Sequence, residues 1–281
     1  MIYKNIAGIK VPSVGTGTWE MGGRNTPDYS KDSHWVNIIQ KAISLGMGHI
    51  DTAEIYGGGH AEELTGLAIR DFRRNDLFIT SKVWHTNLKK SDVLRAAERS
   101  LSRLGTGYFD LYLIHFPNPS VPVEETIEAM NFLADQKLTR LIGVSNFEKP
   151  LLKKAIRASS YPIAANQIEY GLLSRNKGVY TQNAENEIIP YCRENNISII
   201  AWRPLGKDNF GKLASNPFIL SLSKKYQKTP AQIALNWVVS NDNVLTIPKT
   251  GSFEHLFDNA LSTDFELSKT DRDILNKTFT Q

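Results

Sequence analysis

Short runs rich in β-branched and aromatic residues alternate with amphipathic segments along the whole chain. Several of these runs lack a regular polar alternation, which is typical of strands buried on both faces. The pattern predicts eight strands, at residues 14–19, 49–53, 77–83, 109–116, 140–146, 163–170, 198–205 and 244–250.

The segments between the strands have the apolar spacing of helices. Residues 91–104 carry apolar side chains at every third or fourth position behind Ser91, which is the predicted N-cap, and residues 122–137 form a second such segment. Eight strands that are each followed by a helix indicate an α/β fold, the (β/α)8 TIM barrel. A doubly wound sheet also alternates, but rarely extends over eight strands without a break in composition.

We expect residues 1–281 to form one barrel domain, with a short N-terminal β-hairpin at residues 2–12 closing the barrel floor. The chain has 33 Lys and Arg against 29 Asp and Glu, and its basic pairs lie far apart between acidic residues. This distribution favours a solvated surface over a nucleic-acid footprint. The single cysteine, Cys192, excludes an intramolecular disulfide, and no segment approaches the ~20 apolar residues of a membrane span. We expect a cytoplasmic monomer that binds no nucleic acid, membrane or metal.

Four polar residues follow neighbouring strands at the barrel end where catalytic groups lie. Asp51 is at the end of the second strand and Tyr56 follows it, while Lys82 and His115 are at the ends of the third and fourth strands. Any one of them alone could be structural. All four at the ends of adjacent strands indicate an active site.

These residue types together can protonate an oxygen atom. A free tyrosine has a pKa of about 10, which is too high for efficient proton exchange at neutral pH. A Lys82 ammonium would lower the pKa of Tyr56, and Asp51 would hold that ammonium. His115 could donate a hydrogen bond that positions a carbonyl oxygen. Because the set holds no nucleophile or metal cluster, it needs an external hydride donor.

Five motifs resemble those of the aldo-keto reductases, in the same order and over essentially the whole chain. They are HIDTAEIYG at 49–57, SKVW at 81–84, LYLIH at 111–115, IGVSNF at 142–147 and IPKT at 247–250. The resemblance implies NAD(P)H-dependent reduction of aldehydes or ketones to alcohols, with Tyr56 as the proton donor. It also implies that Lys82 and Asp51 tune the tyrosine and that His115 orients the carbonyl.

The same resemblance implies that later strand ends bind the cofactor. Ser145, Asn146 and Gln167 would hold the nicotinamide carboxamide. The segment Trp202, Arg203, Pro204 and Leu205 matches the family stretch whose aromatic residue stacks on the nicotinamide. Arg203 stands where a small polar residue is commoner in the family, and it could reach the diphosphate.

The family holds the 2′-phosphate of NADPH beyond the last strand. Lys249 and Thr250 match this site and Ser252 adds a hydroxyl, but His255 stands where the family has an arginine. A largely neutral histidine cannot make a bidentate contact with phosphate. We therefore expect a weaker preference for NADPH than the family norm, with NADH also used. Asp258 and Asn259 fall where the family contacts adenine.

The substrate is expected to be a small-molecule carbonyl compound. Trp19, Trp84 and Phe116 would form an apolar wall beside His115. Family members often shape this pocket with a long C-terminal loop. We expect that loop to be short or absent here, and the pocket to be open.

Two other functions share much of this pattern. A cofactor-binding regulatory subunit of the same fold is disfavoured by the complete set of four polar residues. A TIM-barrel lyase or isomerase could use the same acid without a hydride donor. Loss of absorbance from a reduced cofactor with a simple aldehyde would distinguish all three.

Overall fold

A parallel barrel with an N-terminal hairpin is formed by residues 1–279, which the computed structural model describes. The hairpin strands are β1 (Tyr3–Ile6) and β2 (Ile9–Pro12). The barrel strands are β3 (Thr16–Gly17), β4 (His49–Asp51), β5 (Phe78–Val83), β6 (Phe109–Ile114), β7 (Thr139–Ser145), β8 (Ile163–Glu169), β9 (Ser198–Trp202) and β10 (Val244–Thr246).

Helices cover the outside of the barrel. They are α1 (Asp32–Ser44), α2 (His60–Ile69), α3 (Lys90–Leu104), α4 (Val123–Asp135), α5 (Lys149–Ala158), α6 (Ile189–Glu194), α7 (Phe210–Ala214), α8 (Pro217–Tyr226), α9 (Pro230–Val239), α10 (Phe253–Ala260) and α11 (Lys269–Thr278). None of the helices among the described residues is long and apolar enough to cross a membrane.

The eight barrel strands pair in parallel and in sequence order from β3 to β10. A bridge between Val14 and Thr246 closes the ring, and the Thr246 N–H donates to Ser13 O at 2.8 Å. The predicted (β/α)8 barrel is therefore confirmed. The first strand is much shorter than the predicted run because the chain turns at Thr18, whose carbonyl accepts the Met21 N–H.

The hairpin closes the barrel floor as predicted. Ile6 and Val11 are fully buried and pack with Phe78 and Leu111 from the barrel interior. The connecting turn includes Gly8, whose φ of 91° lies in the left-handed region that glycine adopts without steric cost. The hairpin thus seals the end of the barrel opposite the candidate site.

The start of α3 differs from the prediction. The helix begins at Lys90 rather than after Ser91, and its N-cap, Lys89, makes no side-chain capping bond. Instead, the Lys90 N–H donates to the Glu125 carboxylate of α4 at 3.1 Å. Ser91 as the N-cap was therefore wrong, because a residue distant in sequence satisfies the free amide.

Candidate active site

A cavity of about 580 Å³ opens at the carboxyl ends of the barrel strands, a size typical of small-molecule sites. Most of the predicted site residues border it. They are Trp19, Asp51, Tyr56, Trp84, His115, Phe116, Ser145, Asn146, Gln167, Trp202, Arg203, Pro204, Leu205 and Lys249. Lys82 is fully buried beside Asp51 and Tyr56.

Lys82 is the centre of the polar network at the base of the cavity. Its Nζ donates to Asp51 Oδ1 at 2.5 Å, to the Thr52 carbonyl at 2.9 Å and to Tyr56 Oη at 3.2 Å. The other oxygen of Asp51 accepts from Gln167 Nε2 at 2.7 Å. All three donors of the ammonium are therefore used inside the protein, which offsets the cost of burying its charge.

A run of three glycines positions Tyr56. Gly57, Gly58 and Gly59 have φ values of 58°, 64° and 101°, and α2 begins at the next residue, His60. A Cβ added to Gly57 would lie 2.5 Å from the Gly22 carbonyl oxygen. Glycine is thus required both for the left-handed backbone and for the close approach of the loop that carries Gly22.

The pKa of Tyr56 lies above its ordinary value of 10.0 because burial disfavours the phenolate more than the Lys82 ammonium favours it. Lys82 acts in the predicted direction and lowers this pKa, but burial outweighs its effect. The pKa of Lys82 is lowered by its own burial, but the Asp51 carboxylate and Tyr56 more than offset this and hold it above 10.5. At neutral pH the pair is a phenol and an ammonium.

His115 completes the base of the cavity. Its Nε2 lies 3.5 Å from Tyr56 Oη, so one oxygen atom beside the pair could lie within hydrogen-bond distance of both atoms. Burial, and then the nearby charge of Lys82, hold the pKa of His115 well below 6.5. The imidazole is therefore neutral and can carry one N–H donor toward the cavity.

Hydroxyl and amide groups form the adjoining wall. Ser145 Oγ donates to the Gln167 carbonyl at 2.9 Å, and Asn146 Nδ2 donates to the His115 carbonyl at 3.1 Å. Trp202 Nε1 donates to Asn146 Oδ1 at 3.2 Å, which fixes the indole beside this cluster. Asn146 and Arg203 both have left-handed backbones, with φ of 62° and 49°, a conformation that often marks functional positions.

Cations also border the same cavity, among them Arg203, Lys207 and Lys249. The Arg203 guanidinium lies over the Trp202 ring, 4.9 Å from its centroid. Burial lowers the pKa of Lys249, and Lys207 and Lys31 lower it further. A flat indole with neighbouring amides, followed by clustered positive charge, fits a nicotinamide dinucleotide with its phosphates.

Five predicted cofactor residues lie outside the cavity wall, in the turn before α10 and along that helix: Thr250, Ser252, His255, Asp258 and Asn259. Ser252 caps α10 by accepting the His255 N–H, and Thr250 Oγ1 accepts the Ser252 N–H at 3.0 Å. His255 is exposed in the first turn of the helix, where free amides and the helix dipole favour an anion.

Several residues of the cavity wall were not predicted from the sequence. They include Glu20, Arg24, Asn25, Ile55, Tyr180 and Lys207. Most of them lie in loops that follow a strand, the location that the barrel architecture favours for functional groups. For Tyr180 the available signal was an apolar pair, Val179 and Tyr180, within a polar stretch after β8.

Comparisons with known proteins agree with this geometry. Residues 13–278 match the Aldo/keto reductase family. The chain is 34% identical to methylglyoxal reductase YeaE of Escherichia coli K12, over 96% of this chain and 92% of that protein. It is 33% identical to glyoxal reductase of Bacillus subtilis, over 95% and 88% of the two chains.

Solved structures are also similar. The thermostable aldo-keto reductase Tm1743, in complex with the inhibitor epalrestat, superposes with a TM-score of 0.92 and 43% identity over 99% of each chain. An aldo/keto reductase of Klebsiella pneumoniae, in complex with NADP and acetate, gives a TM-score of 0.89 and 32% identity over 98% and 93% of the two chains. The protein is therefore an oxidoreductase that belongs to the aldo/keto reductase family.

Proposed function

We propose that this protein reduces aldehydes or ketones to alcohols with NADPH, and that Tyr56 is the proton donor. The observation that carries the proposal is the contact of the buried Lys82 ammonium with Tyr56 Oη, beside His115 Nε2. A phenol and a neutral imidazole at the base of one cavity can together hold and protonate a carbonyl oxygen.

In this proposal His115 Nε2 donates a hydrogen bond to the substrate oxygen and turns it toward Tyr56 Oη. Bound NADPH supplies the hydride that the carbonyl carbon receives. Tyr56 gives its proton to the oxygen as negative charge develops there. The phenolate left behind is stabilised by the Lys82 ammonium, which Asp51 keeps in place.

The cofactor would occupy the other half of the cavity. Ser145, Asn146 and Gln167 would hold the carboxamide, with Trp202 against the ring. The segment from Arg203 to Leu205 would border the diphosphate and ribose. The 2′-phosphate would be met by Lys249, Thr250, Ser252 and His255, and the adenine by Asp258 and Asn259.

Trp19, Trp84 and Phe116 would form the apolar side of the substrate half. Trp19 packs edge-on against Tyr56 at 4.9 Å, and Trp84 against Phe116 at 5.7 Å. Methylglyoxal and glyoxal are suitable first substrates, because similar proteins are named for them. We also propose that residues 1–281 form one domain that works as a monomer in the cytoplasm.

Replacement of Tyr56 by phenylalanine tests the proposal. We expect Tyr56→Phe to lower kcat for methylglyoxal by at least ~100-fold, since a positioned acid contributes that much, while NADPH binding changes little. The control is Tyr112→Phe, because Tyr112 is also fully buried but lies on the helix-facing side of β6. Full turnover in Tyr56→Phe would refute the assigned proton donor.

A further inference from the structure

A short hairpin stands between β8 and α6, at the edge of the cavity. Lys177 and Gln182 form an antiparallel bridge, which places Val179 and Tyr180 at the tip. Both side chains are largely exposed, Val179 at 67% and Tyr180 at 51%. The tip thus presents two adjacent apolar side chains to solvent at the edge of the cavity.

Polar contacts at its base hold the hairpin in place. The Val179 N–H donates to the buried Glu169 carboxylate at the end of β8, at 2.6 Å. Gln182 Nε2 donates to the Gly178 carbonyl at 2.6 Å. Arg175 donates three hydrogen bonds to the Glu185 carboxylate, two at 2.9 Å and one at 2.6 Å. The tip is thus presented from an anchored base.

The two tip residues differ in what they contact. The Tyr180 ring packs edge-on against Phe116, with centroids 5.0 Å apart, and lies 5.9 Å from the ring of Trp202. Phe116 in turn stacks on His115 at 5.2 Å. Tyr180 borders the cavity, whereas Val179 is not among the residues that line it. An unbroken row of rings therefore leads from the carbonyl-positioning histidine to the tip of the hairpin.

We propose that Tyr180 is a specificity-determining residue, which forms a subsite with Phe116 for a flat apolar group carried at a distance from the reacting carbonyl. This inference rests on the proposed carbonyl reduction. With the substrate oxygen at His115, a group carried beyond the carbonyl carbon would lie along the rings of Phe116 and Tyr180. Ring-on-ring contact there favours an aromatic group over a short alkyl chain.

The expected effect is on the choice between substrates. A compound too short to reach the subsite gains nothing from Tyr180. A compound with a distal ring gains binding, which appears mainly in KM because this contact is remote from the reacting atoms. We therefore expect a pocket that is open to small carbonyl compounds and that contacts longer ones through the rings of Phe116 and Tyr180.

The test compares propanal with 3-phenylpropanal, which share the aldehyde and differ by the phenyl group. The measured quantity is the ratio of their kcat/KM values with NADPH, so that any effect of Tyr180 on the cofactor through Trp202 cancels. We expect Tyr180→Ala to lower this preference for 3-phenylpropanal about fivefold, through KM. Tyr180→Phe, which keeps the ring, should leave the ratio nearly unchanged.

Val179→Ala is the matched control, since it truncates the other apolar side chain of the same tip. An unchanged ratio in Tyr180→Ala would overturn the subsite, and so would an equal fall in Val179→Ala. If the native enzyme reduces neither aldehyde nor methylglyoxal, the proposed function itself fails. Activity on all three without a Tyr180-dependent ratio refutes only the subsite.

Discussion

The buried pair of Asp51 and Lys82 allows stability and catalysis to be separated. Asp51→Asn keeps the shape of the side chain but removes the charge that faces the ammonium at 2.5 Å. With an effective dielectric constant of about 20, the lost attraction is roughly 7 kcal/mol. In the native pair this attraction is largely offset by the desolvation of both ions.

In Asp51→Asn the ammonium keeps only neutral partners, the Thr52 carbonyl and Tyr56 Oη. We expect the free energy of unfolding to fall by about 3–5 kcal/mol, the usual cost of leaving one buried charge unpaired. The melting temperature should fall by roughly 10 °C for a chain of this size. Turnover should also fall, because the Lys82 ammonium is no longer held by Asp51 in the position from which it stabilises the phenolate.

The double variant Asp51→Asn/Lys82→Met removes both charges. Its unfolding free energy should exceed that of Asp51→Asn by at least ~2 kcal/mol, since no charge remains to be desolvated. Turnover of methylglyoxal should nevertheless stay lost. Urea unfolding followed by circular dichroism gives the stabilities, and absorbance at the reduced-cofactor band gives the rates. A loss below ~1 kcal/mol in Asp51→Asn, or simple additivity in the double variant, would refute this account of the pair.

Two further predictions concern histidines. Burial lowers the pKa of His49 to about 3 in the folded protein, whereas in the unfolded chain it is about 6.5. Between these two pH values His49 is protonated only in the unfolded chain. The free energy of unfolding therefore falls as the pH falls through this range. The loss between pH 6.5 and 5 should be about 2 kcal/mol, and His49→Leu should remove most of it in melts at the two pH values. His255→Arg should raise the preference for NADPH over NADH at least ~10-fold in kcat/KM, because arginine can pair bidentately with the 2′-phosphate. A native preference already near a thousandfold would contradict the expected weak selectivity.

The strands could be predicted because a buried parallel strand leaves its signal in consecutive apolar residues. Each of the eight predicted runs overlaps a barrel strand, from Thr16–Gly17 to Val244–Thr246. The start of α3 could not be predicted, because the group that accepts the Lys90 N–H is Glu125, on the next helix. Tyr180 was missed for a related reason: the hairpin is too short for any periodicity, and its orientation depends on Glu169 of β8.

The residue types at the strand ends predict which groups meet in the candidate site, but not the direction in which the pKa of Tyr56 is shifted. Lys82 contacts Tyr56 Oη, but the sign of the net pKa shift depends on how completely the barrel excludes water from the phenol. With burial dominant, Tyr56 keeps its proton at neutral pH and releases it only to a stronger base. An alkoxide forming from a carbonyl is such a base, whereas water is not. In the proposed reaction, the raised pKa favours a phenol that stays protonated until the carbonyl oxygen gains negative charge.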